Sequence, residues 1–407
     1  MVGCRALLRL EEWATVTDSS AERHALIDLA AVRHNVRALR ERTRRPDGTG
    51  PALMAVVKAD AYGHGAVPVA RAALEAGADR LGVAHVAEAL ELREAGIDAP
   101  LLAWLHTRAT PFAEAIAADV ALGVSGWDLE HIADAARGLG RTAVVHLKVD
   151  TGLGRNGVLP ADLPDLAARA AALEAEGVLR VEGLFSHLAV ADEVDRADET
   201  DAQLAAFADA EAAVRAAGLD PQVRHIANTP ATLTRPDAHL DMVRVGLGLY
   251  GLSPFPDTHA ADFGLRPAMT VRTSLANVKH VDAGQGVSYG FRHRTEAPTV
   301  LGLVPLGYAD GIPRIADEAP LAVGDRRLAV TGRIAMDQFV VDLGPDAQDR
   351  VGDPVELFGP ASGIPADAWA EAASSINYEL VTRIGTRVPR LHVDSERDGA
   401  ARDGAGA

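Results

Sequence analysis

The chain has 407 residues, of which 48% are hydrophobic and 24% charged, so it can bury a sizeable core and is not globally disordered. Its net charge of -17 argues against a nucleic-acid or anionic-membrane surface, since both call for Lys/Arg patches. A single cysteine, Cys4, excludes a disulfide framework and a Cys-rich metal site; no metal is expected.

No stretch approaches the roughly 18 apolar residues that span a bilayer. The apolar patch within Met1 to Leu10 is too short for a secretory signal. These features predict a cytoplasmic protein with no membrane attachment. Of the 40 Lys and Arg residues only three are lysines, Lys58, Lys148 and Lys279. A lysine retained against such an arginine bias is a candidate for work that needs a primary amine.

Residues 1–21 show no period and read as a tail. Leu29, Val32, Val36 and Leu39 repeat at helical spacing, predicting a helix to Arg42. Short apolar runs then follow at Met54–Val57, Leu81–Val83, Leu101–Trp104, Val120–Val124, Val144–Val149, Val181–Phe185, Val223–Ile226 and Met242–Val245. Helical patterns lie between most of them, as at Val69 to Ala76, Ala87 to Ala95, Leu163 to Glu176 and Ala202 to Ala217. Strands alternating with helices over roughly 220 residues predict an α/β fold, a (β/α)8 TIM-like barrel over residues 22–264. A doubly wound sheet is the rival, but no Gly-x-Gly-x-x-Gly follows the first strand.

Beyond about Leu265 helical spacing becomes scarce. β-rich runs at Thr270–Val278, Thr299–Val304, Leu328–Thr331, Phe339–Leu343 and Val355–Phe358 predict a mainly β domain over 265–393. Residues 394–407 have the Asp/Gly/Ala/Arg-rich composition of a disordered tail.

In a barrel, chemistry sits at the C-terminal ends of the strands. Lys58 ends the first strand, Arg155 follows the fifth, and His187 ends the sixth. Asn228 and Thr229 follow the seventh, while Arg244 and Gly246 close the eighth. Burial at a strand end lowers the pKa of the Lys58 amine, favouring the neutral nucleophile that condenses with an aldehyde cofactor. A structural lysine at the barrel mouth is the competing reading. Tyr62 and two nearby glycines, in the run Tyr-Gly-His-Gly, favour a ligand site.

Arg244 lies within an apolar strand and needs a buried partner. The glycines at 246 and 248 suit the phosphate position common after the last barrel strands. Arg155, on a Gly-spaced turn after Lys148, offers a fork for a carboxylate. A core ion pair for Arg244, a solvated Arg155 and a core His187 remain open on these grounds. Nothing in the residues alone marks Tyr289 or Met336.

Together these segments resemble alanine racemase, a pyridoxal-phosphate (PLP) enzyme with an α/β barrel and a C-terminal β domain. The resemblance spans about residues 22 to 393. It rests on Ala-Val-Val-Lys-Ala-Asp-Ala-Tyr-Gly-His-Gly from Ala55, Val-Ser-Tyr-Gly from Val287, Gly-Tyr-Ala-Asp-Gly from Gly307, and Met-Asp-Gln from Met336. It implies that Lys58 holds PLP and acts as one catalytic base. Tyr289 is the opposite base, entering from the partner subunit of a homodimer with shared active sites. Arg244 faces the pyridine nitrogen, and His187 links it to the tyrosine.

By the same resemblance, Arg155 lies near the cofactor oxygen and the substrate carboxylate, and the backbone of Met336 faces that carboxylate. Tyr62, Thr229, Gly246, Leu247 and Tyr378 belong to the phosphate set, Asn228 adjoins it, and Tyr308 guards the entry corridor. Lys148 matches a lysine carbamylated in some members. The implied activity is interconversion of L- and D-alanine for peptidoglycan synthesis.

Three positions depart from the family pattern: Asp60 where Asn is frequent, Thr229 where Ser is frequent, and Ala335 where Cys is common. The alternatives are a racemase of serine or of a broader range of amino acids, and a non-catalytic PLP-binding barrel. A barrel decarboxylase would want an acidic partner for the pyridine nitrogen, and Arg244 speaks against it.

Overall fold

The computed structural model describes residues 22–395; the terminal segments 1–21 and 396–407, which include nearly all of both expected tails, lie outside the described residues. The chain divides into two compact units. One runs from Leu29 to Arg266, and the other joins Pro267 onward to the segment before Leu29. The first strand, β1 (Arg23–Asp28), belongs to the second unit.

The Leu29–Arg266 unit is built on eight strands: β2 (Ala52–Val56), β3 (Arg80–Val83), β4 (Leu101–Ala103), β5 (Val120–Val124), β6 (Ala143–Lys148), β7 (Leu179–Phe185), β8 (Val223–His225) and β9 (Met242–Val245). Each runs parallel to its neighbours in the order β8-β7-β6-β5-β4-β3-β2-β9. The seam between β8 and β9 is bridged by two backbone bonds, Asp241 N to Arg224 O at 3.2 Å and Arg244 N to Ala227 O at 3.0 Å. The result is a nearly closed barrel.

Helices return the chain between strands. Leu129–Leu139 shows why: its buried Leu129, Ile132, Ala133 and Ala136 repeat at helical spacing, and Gly140 ends it in the left-handed conformation at φ 64°. Inside the barrel, Met54, Leu102, Ala121 and Met242 pack together, with Trp104 against them. Gly82 makes room for that indole, since a Cβ there would crowd it, and Gly123 makes room for the Phe185 ring and the Trp104 Cα and Cβ.

The second unit is mainly β. Its remaining strands are β10 (Met269–Ser274), β11 (Asn277–Val281), β12 (Gly286–Val287), β13 (His293–Arg294), β14 (Thr299–Val304), β15 (Pro320–Val323), β16 (Arg326–Ala329), β17 (Phe339–Gly344), β18 (Pro354–Phe358) and β19 (Arg390–Val393). They form a six-stranded sheet (β16-β15-β18-β10-β1-β19), a three-stranded sheet (β11-β14-β17) and a hairpin (β12-β13).

Two details differ from the sequence reading. Residues 23–28 pair with β10 and β19 rather than with barrel strands, and bury Ala25 and Ile27 there. The run Thr270–Val278 is two strands, because the chain changes sheet between them. Leu275 N bonds Asp353 O, while the next amide, Ala276 N, bonds Leu303 O.

Candidate active site

All eight barrel strands deliver their C-terminal ends to one rim. Lys58 stands two residues beyond the end of β2, half-buried, with its Nζ 5.8 Å from the centroid of the Tyr62 ring. Burial lowers the pKa of its amine, and the Arg155 and Arg244 cations lower it further against the opposing pull of Glu88.

The four residues after Lys58 wind the wrong way. Ala59, Asp60, Ala61 and Tyr62 all have φ between 51° and 54°, a left-handed turn made without glycine. Each such residue costs roughly 1–2 kcal/mol, because its Cβ crowds the next carbonyl. Two carboxylates hold the turn. Glu88 accepts from Ala59 N at 2.6 Å with one oxygen, and from Ala84 N and His85 N at 2.9 Å with the other. Asp60 accepts from Ala66 N at 2.7 Å.

The turn aims Tyr62 into the barrel. Its ring lies 4.9 Å from that of Tyr250, whose hydroxyl donates to Val56 O at 2.8 Å, and His64 stacks on the Tyr250 ring at 4.4 Å. The Tyr62 hydroxyl fills the space a Cβ on Gly246 would need. Thr229 Oγ1 accepts from Gly246 N at 3.2 Å and Gly248 N at 3.4 Å, and Leu247 is buried in the same turn. Asn228 spends its side-chain oxygen on Ala231 N, capping the next helix. The hydroxyls of Tyr62 and Thr229 therefore bracket Gly246.

Arg244 is buried within β9. Its Nη2 donates to Ser186 O at 2.7 Å, Ile226 O at 3.2 Å and His187 Nδ1 at 3.2 Å, and its Nη1 donates to His225 Nδ1 at 3.1 Å. Burial brings its pKa down to about 9, so it stays charged at neutral pH. Burial and the Arg244 cation push the His187 ring well below its usual pKa, leaving it neutral. Lys148, buried at the end of β6, lies 5.5 Å from the Phe185 ring centroid. Burial and the Arg244 and Arg155 cations lower it to about 8.

Arg155 is exposed on the rim. Its turn folds back because Asp150 Oδ1 accepts from Gly152 N and Gly154 N, both at 3.0 Å. Gly157, at φ 127°, lies so close to the Asp150 backbone that a Cβ would not fit.

This donor set suits PLP. Lys58 offers an amine to an aldehyde, Arg244 a fixed fork to a ring nitrogen, and the Tyr62 and Thr229 hydroxyls reach a phosphate across the gap at Gly246. Four cations, Lys58, Lys148, Arg155 and Arg244, act on one another across the rim, which fits an anionic occupant. Among the described residues no group of His, Cys, Asp or Glu side chains is placed to hold a metal, and no helix is long and apolar enough to cross a membrane.

The other sequence-predicted residues lie in the β unit. Tyr308 N bonds Ala335 O at 3.1 Å and Ala309 N bonds Met336 O at 2.9 Å, so Tyr308 and Met336 share one corner. Ser288 Oγ donates to Arg333 O at 2.6 Å, which brings the Tyr289 loop to the same strand connection. Tyr289 and Met336 are 69% and 53% exposed. A cavity of about 420 Å³ opens beside Tyr289, Phe291, Ala335 and Phe339. Tyr378 is half-buried in the short helix Asn377–Thr382.

Sequence reasoning missed Glu88, Phe185 and His225. Glu88 looked like any helix-surface acid. His225 carried a signal, a histidine inside a short barrel strand, where a polar ring must find a partner.

Comparison with known proteins agrees with this architecture. Residues 27–254 match the model for the alanine racemase N-terminal domain, and residues 268–392 the model for the alanine racemase C-terminal domain. An alanine racemase of Thermobifida fusca is 53% identical over 92% of this chain and 98% of its own. The crystal structure of alanine racemase from the D-cycloserine producer Streptomyces lavendulae is similar at a TM-score of 0.89 and 54% identity, covering 92% of this chain and 98% of that one. An alanine racemase structure from Clostridium difficile is similar at 0.86 with 33% identity, covering 92% and 97%. The chain belongs to the alanine racemase family.

Proposed function

We propose that this chain interconverts L- and D-alanine with PLP as cofactor, in the cytoplasm, and so supplies D-alanine for peptidoglycan. The observation that carries the reading is the pairing of Lys58 at the end of β2 with buried Arg244 in β9, across a rim where the Tyr62 and Thr229 hydroxyls bracket Gly246.

Bound PLP supplies an electron sink that acidifies the Cα–H bond of an attached amino acid. Racemisation then needs one base on each face of Cα. Lys58 Nζ, whose pKa burial and the neighbouring Arg155 cation lower, moves the proton on one face. Tyr289 of the partner subunit serves the other face in a homodimer. Its exposure in the single chain is what a residue that acts across an interface requires.

Arg155 and the Met336 backbone hold the substrate carboxylate, and Tyr308 narrows the way in. Arg244 donates to the ring nitrogen without giving up a proton, because a guanidinium remains charged at neutral pH. His187 passes the orientation of Arg244 on toward Tyr289. Tyr62, Thr229, Gly246, Leu247 and Tyr378 hold the phosphate, with Asn228 fixing the turn beneath it. Lys148, with its pKa lowered to about 8, has a larger neutral fraction at neutral pH than a free lysine, and carbamylation draws on that fraction.

The test is the optical rotation of L-alanine over time with PLP-loaded protein and a Lys58→Ala control. Decay to zero that the control lacks is the expected result. A stable rotation with PLP bound would overturn alanine as the substrate, and L-serine is the next substrate to assay.

A further inference from the structure

Arg244 is a fully buried cation, yet none of the four acceptors it reaches is a carboxylate. A buried charge needs compensation. A carboxylate lies on the far side of two imidazoles. From Arg244 Nη1 the path runs to His225 Nδ1 at 3.1 Å, from His225 Nε2 to His146 Nδ1 at 2.9 Å, and from His146 Nε2 to Glu182 Oε2 at 3.0 Å. Two arginines close the far end: Arg80 Nη1 lies 2.6 Å from the same Glu182 oxygen, and Arg180 Nη1 and Nη2 both lie 3.3 Å from the other. The chain crosses β9, β8, β6 and β7 through the barrel interior.

Its direction is determined by chemistry. A guanidinium only donates, so His225 Nδ1 accepts. A buried neutral ring must then carry its hydrogen on Nε2 and donate it to His146 Nδ1. By the same logic His146 donates from Nε2 to the Glu182 carboxylate. Burial favours the neutral form of both rings.

The packing is specific to these rings. A Cβ on Gly183 would collide with the His146 imidazole, and Phe185 stacks on His225 at 4.8 Å with the planes 2° apart. The same phenyl ring lies 5.8 Å from the Arg244 guanidinium. Aligned hydrogen bonds polarise one another in such a low-dielectric interior.

We infer that His225, His146 and Glu182 are positioning residues for Arg244, a one-way hydrogen-bond chain that keeps His225 Nδ1 turned toward the guanidinium and ends on a carboxylate at the opposite end of the barrel. The inference rests on the reading of Arg244 as the partner of the cofactor ring. Glu182 then acts on the reaction at a distance, by holding the charge and aim of Arg244.

Two measurements on the holoenzyme test it. In wild-type protein carrying ¹⁵N-labelled histidine, the nitrogen shifts report each tautomer directly. His225 and His146 are both expected with a bare Nδ1 and a protonated Nε2. The opposite tautomer, or a doubly protonated ring, at either position overturns the chain whatever the catalytic activity.

In Glu182→Gln, kcat for alanine is expected to fall about 10–100-fold, the size of the loss seen when an outer hydrogen-bond partner of a metal ligand is removed. KM should change little, and the His225 nitrogens and the absorbance of bound PLP should shift with kcat. Unchanged kcat and spectra overturn the inference, and so does activity lost only in proportion to lost PLP, which marks general damage. An inactive wild type would overturn the functional reading instead, while the tautomers still decide the chain.

Discussion

The hydroxyl of Tyr62 occupies the volume that a Cβ on Gly246 would take, although the two residues follow the first and last strands of the barrel, β2 and β9, far apart in sequence but paired in the sheet. Gly246→Ala must therefore displace Tyr62 or move the turn after β9. Overpacking of this kind costs about 1–3 kcal/mol, or about 5–150-fold in an equilibrium constant. We expect PLP affinity to fall by that factor in a fluorescence titration of the apoprotein. Unaltered affinity would remove Tyr62 and Gly246 from the phosphate end of the site.

Lys58 should react as a neutral amine at lower pH than a free lysine does. Burial and Arg155 lower its pKa, so its uncharged fraction at any given pH exceeds that of an ordinary lysine near 10.4. The rate at which apoprotein captures PLP should rise with pH and level off below that value. Stopped-flow absorbance reads this, with Lys58→Ala as the control that forms no long-wave band. A rate still rising at pH 10 would mean that the amine is not desolvated in the apoprotein.

Tyr289→Phe removes the proposed second base and leaves the ring in place. Loss of a positioned general base costs about 10²–10⁴-fold. We expect that loss in the conversion of L-alanine, with PLP binding unchanged. Mixing Tyr289→Phe with Lys58→Ala protein should restore part of the activity if each site draws its tyrosine from the neighbouring subunit. Equal loss of PLP binding and turnover would count against the role of Tyr289 as a base.

Glu182 also predicts a pH dependence of stability. The His146 hydrogen bond and the Arg80 cation hold its carboxyl well below the usual carboxylate range, against the opposing effect of burial. A carboxylate with a depressed folded pKa contributes stability that is fully present above its unfolded pKa, near 4.3, and is lost as pH falls toward the folded value. Glu182→Gln should therefore lower Tm at pH 7 and narrow its deficit below about pH 4. Scanning calorimetry between pH 7 and pH 3 checks this; a deficit constant across the range would show that the carboxylate charge contributes nothing.

Much of this was legible in the sequence. All eight barrel strands fall where apolar runs of three to six residues predict them, because a strand covered on both faces reads as a continuous hydrophobic run. The placement of Lys58, Arg155, His187, Thr229 and Arg244 on one rim follows from the parallel topology once the strands are known. What was not legible depends on contacts between segments distant in sequence.

Nothing near β1 announces that it will pair with strands more than 200 residues away. Neither His146 nor Glu182 carries a local mark of the partner it meets across the barrel. The left-handed turn at Ala59 to Tyr62 was invisible for another reason. Such turns are expected at glycine and occasionally at asparagine or aspartate, and here Ala59, Ala61 and Tyr62 are none of these.

That turn has a consequence for evolution and engineering. Glycine at Ala59 or Ala61 would relieve roughly 1–2 kcal/mol of steric conflict per residue. The change would also give the backbone next to Lys58 freedom to wander. Stability screens would select such a substitution and report a sturdier protein, while the amine lost its fixed bearing. Resistance to that improvement marks the segment as one where heat tolerance and turnover select in opposite directions.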